Sequence, residues 1–459
     1  MGLHNFPAVA APRSAASPWA LLPRAPQSIE ETGLSNGFLV ELLGKTMLQQ
    51  GLTRLVELGS QLRLGGGVVD ALCQFMRREG LLEVTRRGQH EADVQYELTQ
   101  AGHARALEWL ARNAYVGAAP VPLAAYAERV RAQSAPHRDL TLRQAHQACA
   151  GLVLPEGLLD QLGTALNSGR PLLLYGPAGS GKTYLAQSLQ RLLGGAVAIP
   201  HAICVHDEVI RVFDAQCHRP LPAEAAPRAA LDNRSRPDPR WQLCERPVIA
   251  SGGELTLEML DLSFDNRAGY YEAPPHFKAN NGLFIVDDLG RQVVTPRALM
   301  NRWIVPMEHR HDHLMLRNGG KFTVPFEMTL VFSSNLEPRE LEDAAFLRRL
   351  GHKIRIGALD PQSYARVFEN ACGDEGLPFD SGVLAQLVHE LHPRHGRPLL
   401  ACYPRDLLRL IASRARYLEL PAALSSELLD WAWSTYFGNE ALIEAASSTG
   451  SPPCDHVVC

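Results

Sequence analysis

The sequence Pro171-Leu172-Leu173-Leu174-Tyr175 runs directly into Gly176-Pro177-Ala178-Gly179-Ser180-Gly181-Lys182-Thr183. The short apolar run predicts a buried strand of a parallel sheet. Glycines in the loop after it let backbone N–H groups turn inward around phosphate oxygens, and the helix that follows presents its positive N-terminal end. The stretch therefore predicts a phosphate-binding loop of the Walker A type within an α/β fold.

The last residues of this loop have expected roles around ATP. We expect Lys182 to reach the β and γ phosphates and Thr183 to ligate Mg²⁺. A second partial match, Gly44-Lys45-Thr46, has Leu39 in place of the first glycine and lies in a helical pattern, so we interpret it as ordinary helix. The expected nucleotide-binding residues are Gly176, Pro177, Ala178, Gly179, Ser180, Gly181, Lys182, Thr183 and Tyr184.

A second apolar run, Gly282-Leu283-Phe284-Ile285-Val286, ends in Asp287-Asp288 and fits a Walker B strand. Asp287 is expected to hold Mg²⁺, directly or through water, and Asp288 to orient the attacking water.

Three further features follow along the chain. Another buried-strand run, beginning at Met328, ends in Asn335, and a short segment beginning at Asp343 ends in Arg348-Arg349. After Asp360-Pro361 the pattern is helical to about residue 440, and Arg405 lies where a helix begins after a proline-rich loop. The order of these parts resembles an AAA+ ATPase.

The resemblance implies a parallel sheet flanked by helices, an α-helical C-terminal lid and a homo-oligomeric ring, expected to be hexameric. It implies that Asn335 is sensor 1, that Arg405 is sensor 2 and contacts phosphates, and that Arg348 or Arg349 reaches a neighbouring subunit's ATP. The family usually has Glu where Asp288 stands, and a shorter side chain positions water less well. Slow hydrolysis is therefore one of the expectations.

Two predicted hairpins refine the resemblance. One spans residues 262–273 and carries Tyr270 and Tyr271, and the other turns at Asn318-Gly319. Insertions at these places are similar to the helix-2-insert group, which includes MoxR-type chaperones and magnesium chelatase subunits. Whether the two tyrosines contact substrate at a ring pore or pack within the hairpin is left open.

Near the N-terminus, the pattern of three helices, a two-stranded wing and a fourth helix resembles a winged helix. Between Asn36 and Leu110 eight cations stand against nine anions, and the start of the third helix offers Asp70 and no cation. Because DNA binding needs clustered Lys or Arg, protein docking is the favoured role and DNA binding the alternative.

The amino-acid composition limits which partners and which cellular setting we expect. Lys and Arg number 45 against 49 Asp and Glu, so the net charge of −4 gives no general attraction to nucleic acid or anionic lipid. Nine scattered cysteines fit a reducing, cytoplasmic setting, and we expect no membrane span. The expected domains are a flexible arm (1–35, alternatively a targeting peptide), a winged-helix-like domain (36–115), a linker (116–150), an ATPase core (151–358), a helical lid (359–440) and a flexible tail (441–459).

The sequence thus predicts an ATP-hydrolysing molecular remodeller that acts on a protein client. The alternatives are a DNA-handling ATPase that uses the winged helix and a slow ATP-gated switch.

Residues 218–240 are expected to form a mobile loop. We do not favour metal binding by His309, His311 and His313, or by the terminal Cys454 and Cys459.

Overall fold

The computed structural model describes residues 18–87, 94–134, 140–222, 236–341, 344–419, 421 and 423–438. The chain forms two compact units. The first comprises residues 1–150, 160–175 and 183–354, and the second comprises residues 151–159, 176–182 and 355–459.

The first unit begins with a mainly helical module in the predicted order. Its elements are α1 (Asn36–Gln50), α2 (Leu55–Leu62), α3 (Gly66–Arg78), β1 (Leu82–Arg87), β2 (Val94–Leu98) and α4 (Gln100–Arg112). Side-chain caps fix two of the helix starts, because Ser35 accepts from the amide of Phe38 and Thr99 from that of Gly102. β1 and β2 are antiparallel, and the predicted wing tip at Gly88 lies outside the described residues.

The hydrophobic core of the module extends into the rest of the first unit. Leu43, Leu58 and Leu72 are fully buried in one cluster with Ala202 and Val209, which lie more than 100 residues further along the chain. The predicted boundary at residue 115 is therefore not a break in packing, because apolar side chains on both sides of it share one interior.

The predicted linker, residues 116–150, is also part of this unit. It contains β3 (Val121–Pro122), α5 (Leu123–Ala132) and α6 (Leu142–Ala148). Val121, Tyr126 and Val130 are buried, and the last two lie four residues apart on one face of α5. The segment predicted as a linker thus packs against the first unit through an apolar face that is sparse among Ala and Arg residues.

Part of the predicted flexible arm is also held in place. The Ala25 amide donates to the Arg236 carbonyl at 2.9 Å, and the Asp238 amide donates to the Pro23 carbonyl at 2.8 Å. The buried Arg240 donates to the Thr32 carbonyl at 3.0 Å. Residues 18–35 are thus packed on the unit, whereas residues 1–17 lie outside the described part.

The same contacts correct the expectation of a mobile loop over residues 218–240. His218 is buried, with Nδ1 accepting from the Asp214 amide, and Asp238 forms a buried ion pair with Arg240. The two ends of the segment are therefore anchored by polar contacts, while residues 223–235 lie outside the described part.

The rest of the first unit supplies the core of the α/β fold. In chain order its elements are α7 (Leu158–Ser168), β4 (Leu172–Tyr175), α8 (Lys182–Leu193), β5 (Ala196–Pro200), β6 (Ala202–Val205), β7 (Glu208–Arg211), β8 (Trp241–Glu245), β9 (Val248–Ser251), β10 (Ser263–Asp265), β11 (Tyr270–Glu272), α9 (Pro275–Lys278), β12 (Leu283–Val286), α10 (Pro296–His309), β13 (His311–Met315), β14 (Lys321–Pro325), β15 (Thr329–Ser334), α11 (Ala344–Arg349) and β16 (His352–Arg355).

The central sheet has the order β16-β4-β15-β12-β9, in which β4, β15, β12 and β9 are parallel. If the five strands of this sheet are numbered 1 to 5 in chain order, their order across the sheet is 5-1-4-3-2, so β4 is an inner strand. Its buried side chains include Leu173, Phe284 and Phe332, and Trp303 of α10 packs against the last two. This is the expected α/β architecture of an AAA+ core, and the ends of β4, β12 and β15 meet at one edge.

Both predicted hairpins are present. β10 pairs with β11 and β13 with β14, each antiparallel, and the first hairpin joins a mixed sheet in the order β10-β11-β7-β6-β3. The tips of the two hairpins touch, because the Arg317 guanidinium donates to Asn266 Oδ1 at 3.0 Å and lies over the Phe264 ring.

The second unit is helical after residue 360, as predicted for a lid. It contains α12 (Pro361–Glu375), α13 (Ser381–Gln386), a π-helical turn (Leu387–Leu391), α14 (His392–Arg394), α15 (Cys402–Tyr417) and α16 (Ser426–Phe437) around a core of Tyr364, Phe368, Leu407, Leu429 and Trp433. Among the described residues, no helix is both long and apolar enough to cross a bilayer.

Candidate functional site

The predicted phosphate-binding loop lies in the second unit and requires its glycines. Gly176 has φ +142° and Gly179 has φ +82°, conformations that L side chains rarely adopt. A Cβ on Gly176 would lie 2.1 Å from the Ile356 carbonyl oxygen, and one on Gly179 would lie 2.5 Å from Cys402 Sγ. The loop therefore has the close backbone approach and the unusual torsions of an anion cradle.

Lys182 points into this loop. Its ammonium donates to the carbonyl oxygens of Gly176 at 2.9 Å and Pro177 at 2.8 Å, and the side chain is 6% exposed. The hydroxyl of Ser180 is buried and has no hydrogen-bond partner among the residues that the structure describes. An ammonium held inside the loop and an unsatisfied hydroxyl beside it fit a phosphate ligand, which supplies acceptor oxygens for both.

The first turn of α15 packs against the same loop. The Cys402 amide donates to the Gly179 carbonyl at 3.1 Å, and Ala401 lies beside Gly181. Arg405 lies on this turn and is exposed, with only a loose 3.9 Å contact to Asp406. A helix that begins at the loop thus carries the arginine predicted as sensor 2.

The second unit also contains a cleft of about 510 Å³. Its lining is mostly apolar and comes from the start of α12, the π-helical turn with α14, and the segment before α15, including Leu359, Pro361, Val388, His392 and Leu399. His392 Nε2 meets the Tyr364 hydroxyl at 2.9 Å and its Nδ1 meets the Arg397 carbonyl at 3.1 Å. Burial lowers the pKa of His392, so the ring is a neutral wall of the cleft.

The predicted magnesium ligands meet within the first unit. The Thr183 hydroxyl donates to both carboxylate oxygens of Asp287, at 2.8 and 3.0 Å. Asp287 follows the end of β12, as expected for a Walker B strand. Mg²⁺ in phosphate sites takes one or two protein ligands together with waters and phosphate oxygens, so this pair fits it. No group of three His, Cys, Asp or Glu side chains suited to a metal occurs among the described residues.

Asp288 and Asn335 also meet. Asn335 Nδ2 donates to Asp288 Oδ1 at 3.1 Å, so the two predicted catalytic side chains are in direct contact. Asp288 has φ +51°, the left-handed conformation that Asp adopts more readily than most residues. This backbone conformation gives a physical reason for Asp where the family usually has Glu.

The two predicted finger arginines differ in their surroundings. Arg349 Nε donates to Glu308 at 2.6 Å, an ion pair between α11 and α10. Arg348 is exposed and has no hydrogen bond or ion pair within the described part of the chain. Arg348 is therefore the arginine available to a neighbouring molecule.

The weaker sequence candidates resolve into packing roles. Tyr271 is buried and its hydroxyl accepts from the Arg317 amide, while Tyr270 packs edge-on against Tyr115. Both tyrosines have packing roles in the hairpin. Lys45, from the rejected second match, is buried in α1 and bonded to Glu41, which confirms its structural role.

The remaining candidates add nothing to the site. His309 is the last residue of α10, whereas His311 and His313 lie in β13, so the three histidines do not share one strand. Tyr184 is half exposed on α8, and Cys454 and Cys459 lie outside the described residues.

Sequence reasoning missed two features of the site. The cleft has no motif, because its lining comes from three separated segments of the lid. Gln292 contacts the Walker B turn through its side-chain amide. The sequence indicated a turn here only through Gly290, which lies between Asp288 and Gln292, and it gave no sign of the role of Gln292.

The comparisons with known proteins reach only part of the chain. A family model described as a domain of unknown function, DUF8689, matches residues 360–435, which is the helical lid. No curated protein matches.

Among solved structures, NtrX from Brucella abortus is 13% identical with a TM-score of 0.39, covering 61% of this chain and 55% of its own. A RuvB mutant from Thermotoga maritima is 10% identical with a TM-score of 0.35, covering 61% of this chain and 69% of its own. The chain thus spans little more than half the length of NtrX. The fold assignment rests on the strand order and the loop, since likenesses at this level do not bear on activity.

Proposed function

We propose that this protein is an ATPase that binds MgATP and hydrolyses its γ phosphate, working as a ring-shaped remodeller of a protein client. The observation that carries the proposal is the glycine loop with the Lys182 ammonium inside it. A buried ammonium that donates to two loop carbonyls, in a loop where two glycines have positive φ, is suited to binding phosphate oxygens.

The loop and α15 supply the phosphate contacts in this proposal. Backbone amides of residues 176–182 and the Lys182 ammonium bind the β and γ phosphates, and Arg405 adds positive charge as sensor 2. Thr183 and Asp287 hold Mg²⁺, which when bound neutralises charge on the phosphates.

The chemical step falls to Asp288 and Asn335. The Asp288 carboxylate accepts a hydrogen bond from the attacking water and orients it toward the γ phosphorus, while Asn335 fixes the carboxylate. Water attack breaks the bond between the γ phosphorus and the bridging oxygen, releasing ADP and phosphate. The hydrogen bond from Asn335 Nδ2 to Asp288 Oδ1 supports this division of roles.

The cleft in the lid is the proposed site of the adenine base. Its lining is apolar, and the neutral His392 ring is fixed by two hydrogen bonds. Leu399 lies within three residues of Ala401 and Cys402, which touch the phosphate-binding loop. Burying the flat faces of the aromatic ring there stabilises the complex by about 25 cal/mol per Å² of apolar surface removed from water.

Arg348 is proposed to act in trans, at the ATP of the next subunit of a hexameric ring in the cytoplasm. An exposed arginine supplied by a neighbour makes turnover depend on assembly, since hydrolysis then needs two chains.

Phosphate release from the full chain, measured across protein concentrations with light scattering beside it, tests the proposal. We expect turnover that rises as the oligomer forms and is lost in Lys182→Ala. Turnover that is unchanged in Lys182→Ala would contradict the assignment of the loop.

A slow ATP-gated switch is the second candidate, and the short Asp288 side chain favours it. It predicts one phosphate per chain in a burst, followed by little steady turnover. Steady release over many cycles at saturating ATP rules it out.

A further inference from the structure

We infer that Gln292 is a positioning residue for the proposed hydrolysis, because its side chain braces the left-handed turn that carries Asp288. The inference rests on the proposed function and concerns a residue outside every motif in the sequence. Gln292 is half-buried on the first unit, four residues after Asp288.

The Gln292 amide bonds to the turn on both sides of Asp288. Its Oε1 accepts from the Gly290 amide at 2.9 Å, and its Nε2 donates to the Asp287 carbonyl at 2.8 Å. Nε2 also donates to the Gly252 carbonyl at 3.3 Å, just beyond β9. One side chain therefore closes the turn and ties it to the neighbouring strand of the central sheet.

The turn needs this brace because Asp288 has φ +51°. A non-glycine residue keeps a left-handed conformation only when its surroundings hold it there. On the far side of the turn, the Leu289 amide donates to the Ser333 carbonyl and the Ser334 hydroxyl donates to the Leu289 carbonyl. On the near side, the Asp287 carbonyl is held by Gln292.

Removing the Gln292 amide leaves the Asp287 carbonyl and the Gly290 amide without these partners. The left-handed turn then relaxes, and the Asp288 carboxylate moves relative to Asn335 and the water it orients. Since a misplacement of about 1 Å can cost about 100-fold in rate, partial relaxation is expected to cost about tenfold or more.

The test compares full-length Gln292→Met, which keeps the side-chain volume without the amide, with Gln50→Met at an exposed position at the end of α1. We expect kcat for ATP in Gln292→Met to fall about tenfold or more. The Kd for ATP, measured by equilibrium binding, should stay near the wild-type value because the hydrogen bonds of the Gln292 side chain go to Gly252, Asp287 and Gly290, none of which is a proposed phosphate ligand. Gln50→Met should match wild type in both.

Two outcomes overturn the inference. An unchanged kcat in Gln292→Met shows that the turn needs no brace. A parallel fall in kcat, ATP affinity and Tm shows a general structural role. Gln292→Glu refines the result, because it keeps the acceptor for Gly290 but places a carboxylate oxygen against the carbonyl oxygens of Asp287 and Gly252, so kcat is expected to fall at least as far as in Gln292→Met.

The failure of the proposed function looks different. If the wild-type chain itself shows no turnover that depends on Lys182, the ATPase assignment fails. In that case, hydrogen exchange of the backbone amides of residues 288–290 tests whether the Gln292 side chain holds the turn. Faster exchange in Gln292→Met than in Gln50→Met supports it, and equal exchange overturns it.

Discussion

Replacing Asp288 with Glu restores the residue usual in the AAA+ family at this position, and we expect it to lower the rate of ATP hydrolysis. The reason is the backbone, because Asp288 has φ +51° and its side chain already meets Asn335. A left-handed conformation costs L residues about 1–2 kcal/mol, and Asp escapes part of this cost where Glu does not.

The larger effect is geometric. Glu adds one carbon–carbon bond, about 1.5 Å, between the backbone and the carboxylate. With the turn fixed at Leu289 and Gln292, the longer side chain carries its oxygens past Asn335 Nδ2. A displacement of about 1 Å costs about 100-fold in rate, so kcat is expected to fall by about that factor.

Steady-state phosphate release at saturating ATP measures the effect, with ATP affinity measured separately. Asp288→Asn is the matched control, because it keeps the length and conformation and removes the charge that activates water. We expect both variants to bind ATP like wild type and to hydrolyse it slowly. A kcat in Asp288→Glu equal to or above wild type would refute this reasoning and would favour the slow switch.

Three further predictions concern the loop, the oligomer and pH. Gly179→Ala should weaken ATP binding, because its Cβ would meet Cys402 Sγ at 2.5 Å on a residue with φ +82°, and adding Cys402→Ala should restore part of the affinity in equilibrium binding. Arg348→Ala should abolish the rise of ATPase rate with protein concentration, whereas Arg349→Ala, which loses an ion pair to α10, should keep it. Burial and Arg63 lower the pKa of His201 to about 4, so the folded chain stays unprotonated there while the unfolded chain binds a proton near pH 6.5. Stability that is present above pH 6.5 should therefore be lost toward pH 4, by on the order of 3 kcal/mol relative to His201→Leu in denaturant unfolding.

The sequence predicted which strand ends meet at one edge of the central sheet because these strands are continuous apolar runs that end in polar residues. Buried parallel strands give this pattern, and the Thr183–Asp287 and Asp288–Asn335 pairs follow from strand ends meeting at one edge. The two hairpins were found for a similar reason, since turn residues mark their tips.

Packing between distant segments escaped prediction. Tyr126 and Val130 form a sparse apolar stripe, and nothing near them in the chain shows that they cover a sheet. The arm at residues 18–35 is held by backbone hydrogen bonds. Almost every residue type can form these bonds, so the amino-acid sequence does not indicate them. Gln292 acts through an amide that any loop glutamine possesses, so its role is visible only in three dimensions.

The cluster that joins Leu43 and Leu72 to Ala202 and Val209 has a consequence for how such a protein changes over evolutionary time. An N-terminal domain whose core contains only its own side chains can be exchanged for another domain without changing the packing of the rest of the chain. Here a substitution at Ala202 alters the interior of the N-terminal helices as well. Exchanging the module would leave Ala202 and Val209 without the helices that cover them, so such an exchange requires compensating substitutions at these two positions.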